Sequence, residues 1–156
     1  MVYDVMVKEE PDELVASIRS TVPMERLGEA IPQAFVRLMA CVGPVGYGQG
    51  MPGLVMHEMQ PPRPADVEIF MPVARPFDPP EGIVVTTLPG GPMAVTVHTG
   101  PYDGAGAAHE AVAEWIGEHG RKIAGPPREL FLNDPHVVGM EHAQTEIELP
   151  IERSEA

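Results

Sequence analysis

The chain reads as one unit written twice, and a duplication constrains a fold more than composition does, because each copy must bury the same kind of face. Met24, Leu27, Ile31, Ala34, Phe35, Leu38, Met39 and Val42 step by three and four, which predicts a helix with one apolar side. Ala108, Ala111, Val112, Trp115, Ile116 and Ile123 repeat the pattern, and the first five match Ile31, Ala34, Phe35, Leu38 and Met39 at a spacing of 77 residues. Pro23 with Pro101, and Pro72 with Pro150, recur at nearly the same shift.

Strands flank both helices. Leu14–Thr21 and Met93–Thr99 are rich in β-branched residues and roughly alternate before the helices; Leu54–Glu58 and Val67–Met71 follow the first helix, Glu129–Asn133 and Thr145–Leu149 the second. Two leading segments, Val2–Glu9 and Ile83–Leu88, are expected to form hairpins with the strands that follow them. Pro32 lies inside the first helical pattern, so the regular helix should start near Ile31 or kink there. The proline-rich stretch 75–81 is a linker too short to separate independent domains. The expected fold is therefore α+β: a single domain over residues 1–156 made of two strand-helix-strand-strand modules, about 1–75 and about 82–153, forming antiparallel sheet with two main helices in a pseudo-twofold arrangement.

Composition narrows the function classes. A formal charge of −13 repels nucleic-acid phosphate and anionic lipid, and the ten Lys and Arg residues form no basic aromatic patch. Cys41 is the only cysteine, so no internal disulfide forms, and its apolar neighbours suit a small packed residue better than a reactive thiolate. No signal-like or membrane-spanning run is present, and the expected location is the cytoplasm. The six histidines lack the paired spacing of a zinc site, so no metal or other cofactor is expected. Gly46–Gly50 follows a helix and precedes a strand, the reverse of a phosphate loop. No serine or cysteine sits in a recognisable nucleophile arrangement.

The informative residue is a carboxylate. When the halves are aligned on Pro52 and Pro127, Leu54 faces Glu129, Val55 faces Leu130 and Met56 faces Phe131. A glutamate where the duplicate carries leucine is either solvent-facing or compensated in a pocket, and alternation alone leaves both open. Glu129, Phe131 and Asn133 share one strand face, Glu146 shares another with Glu148, and Glu68 shares one with Phe70. Aromatic rings with a carboxylate suit an organic cation.

His98-Thr99-Gly100-Pro101-Tyr102, Glu114-Trp115-Ile116, the run from Ala124 to Pro135 and Thr145-Glu146-Ile147-Glu148-Leu149-Pro150, in this order, resemble the GyrI-like small-molecule-binding family, which includes effector domains of MerR-type and AraC-type multidrug regulators. The resemblance implies a hydrophobic cleft at the seam of the modules that takes bulky cationic aromatic molecules. Glu129 falls on the family's pocket glutamate, with Trp115, Phe131, Tyr102, Met56, Phe70 and Phe35 as candidate walls. Phe131 stands where the family often has tyrosine. No residues remain for a helix-turn-helix region, so the expectation is a stand-alone, monomeric or homodimeric binding protein without direct nucleic-acid or membrane contact. Some relatives resemble hydrolases of cyclopropane-bearing alkylating agents, for which Tyr102 and Glu129 would be the catalytic pair. An inhibitor presenting an acidic surface to a DNA-binding enzyme is a further alternative.

Overall fold

Alternating burial along the predicted strands becomes eight strands in a computed structural model that describes residues 2–154. In chain order these are β1 (Met6–Glu10), β2 (Glu13–Val22), α1 (Leu27–Val42), β3 (Gly53–Glu58), β4 (Ala65–Pro72), β5 (Val84–Leu88), β6 (Gly91–Thr99), α2 (Ala105–Glu118), β7 (Arg128–Phe131), the single turn α3 (Pro135–Val138) and β8 (Gln144–Pro150). No helix among the described residues is long and apolar enough to cross a membrane.

The chain divides into two units, 12–89 and a second made of 1–11 with 90–156. In the first, antiparallel pairing gives the order β5-β2-β4-β3. In the second it gives β1-β6-β8-β7. Ile18 pairs with Ile69 in one unit and Thr96 with Ile147 in the other, a shift of 78 residues. The leading strands obey the same shift, since Val85 pairs with Ala16 and Val7 with Ala94.

That pairing overturns the hairpin expectation: β1 joins β6, not β2, and β5 joins β2, not β6. The reason lies in the turns. Pro11-Asp12 and Pro89-Gly90 are the short links available, and a tight hairpin needs a positive φ at its first central residue that proline cannot adopt. Each leading strand therefore serves as the edge strand of the unit built from the other half of the sequence. Gly90 is required beside Pro11, because a Cβ there would collide with the Glu10 carbonyl and the Pro11 backbone.

Helix burial corrects the helix alignment by one residue. Ala34, Leu38 and Val42 are buried on α1, and Ala105, Ala108, Val112 and Ile116 on α2. Ala34 and Leu38 thus correspond to Val112 and Ile116, again a shift of 78, whereas Met39 and Ile123 are exposed at 44% and 55%. In the second unit Ala108, Val112 and Ile116 pack on Ala94, Ile147 and Leu149. Each large aliphatic side chain buried here contributes about 1.5–3 kcal/mol. Pro32 neither delays nor interrupts α1, which runs through it. The carbonyl that loses its partner belongs to Gly28, in an exposed turn open to solvent.

Candidate functional site

Glu129 pairs across the ladder with Ile147, a core residue beneath α2, so strand alternation turns its carboxylate toward the helix side of the sheet. There its Oε2 lies 2.7 Å from His109 Nε2, with the two side chains 15% and 22% exposed. An imidazole N–H donates to a carboxylate at this distance. In the other unit Leu54 pairs with Ile69, the counterpart of Ile147, and is buried. The strand register therefore places Leu54 and Glu129 at equivalent positions, and one copy carries a charged group where its twin carries core.

Phe131 follows on the same strand face, and the ring of Tyr102 meets it edge-on at 5.5 Å and 65°. Burial, and then the negative charges of Asp134 and Glu129, push the Tyr102 phenol above its usual range. It stays protonated at neutral pH and so can donate a hydrogen bond. Thr145, opposite Phe131, is fully buried, and its Oγ1 has no hydrogen-bond partner among the described residues.

Buried His98 fixes the turn that carries Tyr102. A carbonyl only accepts, so His98 Nε2 donates to Pro101 O at 2.9 Å. That leaves Nδ1 to accept from the Tyr3 hydroxyl, also at 2.9 Å. Downstream, Asn133 lies beyond the end of β7 and closes the following loop, donating from Nδ2 to His142 O and accepting from Gln144 N.

The structure brings Glu129, Phe131 and Tyr102 into one neighbourhood and adds His109, one of the six histidines whose spacing argued against zinc. Trp115 lies elsewhere. Six residues from His109, it falls about 120° around α2. It stacks on His119 at 4.0 Å and borders a depression of about 410 Å³ with Tyr3, Val5, Ala111, Glu114 and Glu118. Met56, Phe70 and Phe35 belong to the first unit, where Phe70 is core at 1% exposure and Met56 and Phe35 are half-buried. The signal that could have found His109 is its place on the flank of the apolar stripe of α2, above a strand with a carboxylate.

The sequence pattern of a family described as GyrI-like small molecule binding domain matches residues 3–152. The crystal structure of the EcmrR C-terminal domain is similar over 99% of this chain and all of that one, with a TM-score of 0.88 and 23% identity. Longer EcmrR, solved in a complex with DNA, matches 97% of this chain at 22% identity and a TM-score of 0.86, and the chain spans 58% of its length. SAV2435, solved bound to tetraphenylphosphonium, is 17% identical with a TM-score of 0.65, over 97% of this chain and 94% of that one. No curated protein sequence matches.

Proposed function

The chain belongs to the GyrI-like small-molecule-binding family, and from that premise we propose that it binds hydrophobic aromatic cations, with Glu129 as the carboxylate that meets the ligand's charge. The observation that carries this reading is the mostly buried Glu129 carboxylate, with His109 against it and the rings of Phe131 and Tyr102 on the same side of the sheet. A buried carboxylate costs several kcal/mol unless it is compensated. An organic cation compensates it, and each ring adds about 0.5–2 kcal/mol by cation–π attraction. Tetraphenylphosphonium, the ligand of SAV2435, is a cation of this kind.

Fluorescence titration with a cationic rhodamine-type dye tests the reading. Glu129→Gln keeps the side-chain shape and removes its charge, so binding should weaken about tenfold or more, while a neutral dye of similar shape should bind as before. Equal loss for both dyes would overturn the role of charge.

A second reading follows from Tyr102 beside Glu129. A protonated phenol near a carboxylate suits acid/base opening of a strained electrophile. A cyclopropane-bearing alkylating drug incubated with the protein should then yield a water adduct by mass spectrometry, lost in Tyr102→Phe. Unchanged drug would leave binding as the function.

A further inference from the structure

Glu146 and Glu148 flank Ile147 on β8, so they point to the face of the sheet away from α2. Sequence alternation leaves that face either wet or cation-binding; the structure buries both carboxylates, with Glu146 6% and Glu148 2% exposed. Glu10 arrives from β1 because that strand joins β6. One carboxylate oxygen from each of Glu10, Glu146 and Glu148 lies within 4.8 Å of the others. Among the described residues Glu148 Oε2 is buried without a hydrogen-bond partner. Lys8 Nζ sits 2.8 Å from Glu146 Oε1, on a side chain that is 44% exposed.

We propose that Glu10, Glu146 and Glu148 form a site for one divalent, oxygen-seeking cation of calcium size, which displaces the Lys8 ammonium. The donor set is all carboxylate, the chemistry of hard cations and not of the nitrogen- and sulfur-seeking metals that histidine spacing argued against. Size selects within that class. The smaller Mg²⁺ dehydrates reluctantly and usually keeps several waters beside one or two carboxylates, whereas Ca²⁺ takes about six to eight oxygens in flexible geometry, so three converging carboxylates, two of them buried, suit calcium better. Charge points the same way. Arg128, the register partner of Glu148, shares this face. With Lys8 swung out, a divalent cation and Arg128 together balance the three carboxylates. The site is across the sheet from Glu129 and does not depend on the ligand proposed there.

Isothermal titration of Ca²⁺, and separately Mg²⁺, into EDTA-treated full-length protein at pH 8 tests this. One equivalent of Ca²⁺ should bind, with Mg²⁺ weaker by about tenfold or more. Glu148→Gln should weaken Ca²⁺ binding by about tenfold or more, and Lys8→Ala should tighten it severalfold by removing the competing ammonium. Glu10→Gln, on the edge strand, carries the same expectation as Glu148→Gln should that variant fail to fold. No saturable Ca²⁺ binding at millimolar concentration, or binding unchanged in the glutamine variants, would overturn the proposal.

Discussion

His109 Nε2 lies 2.7 Å from Glu129 Oε2, a helix-to-strand contact that occupies one oxygen of the carboxylate assigned to the ligand. A ligand cation and a charged residue at position 109 would compete for the same group. His109→Lys installs such a charge. Dye titration should show cationic ligands weakened about tenfold or more and neutral analogues little changed; cationic binding at wild-type strength in this variant would remove Glu129 from the ligand's contacts.

Tyr102 reports on the same carboxylate. Its phenol ionises above the usual value of about 10, through burial first and then Asp134 and Glu129. Ultraviolet titration should resolve one late-ionising tyrosine that disappears in Tyr102→Phe. In Glu129→Gln the late step should move to lower pH, because a negative charge that opposed phenolate has gone. A step that stays in place would mean the two groups do not interact.

Glu148 makes stability depend on pH. Burial, followed by its contacts with Glu146 and Glu10, raises its carboxyl to about 9, with Lys8 the cation paired to Glu146. A carboxyl whose folded pKa exceeds its unfolded value binds more protons when folded, so its contribution is fully present below about 4.5 and is lost as pH rises toward 9. In EDTA-treated protein Glu148→Gln, a permanent mimic of the neutral form, should raise Tm at pH 8.5 relative to wild type by roughly 2–4 °C per 1 kcal/mol recovered. The difference should shrink at pH 5.

Core burial separates two alignments of the helices. Leu38→Ala and Ile116→Ala should each cost about 2–5 kcal/mol in urea unfolding, since both side chains are buried. Met39→Ala should cost about 0.5 kcal/mol or less, because that side chain is largely exposed. A large loss at Met39 would restore the shift of 77 read from apolar pattern alone.

Much of this architecture is legible in one dimension. Periods of two and of three to four record which side of a local element meets the core, so all eight strands and both main helices emerge, although β1 starts at Met6 and α2 ends at Glu118, short of Ile123. The one-residue error in the helix alignment arises because both helices carry apolar residues beyond their buried stripe, Met39 and Trp115 among them, and pattern does not distinguish a buried apolar residue from a flanking one.

Leu54 and Glu129 stand out in the sequence as the place where the copies disagree, and the strand registers with Ile69 and Ile147 uphold that equivalence. Local sequence determined the duplication, the element types and this break in symmetry, because propensity and alternation act over a few residues. Only the tertiary structure decided that β1 serves β6, that His109 stands over Glu129 and that Glu10 meets Glu146 and Glu148. Strand partners and buried ion contacts are chosen by chain closure between segments far apart in sequence, and no local periodicity carries that information.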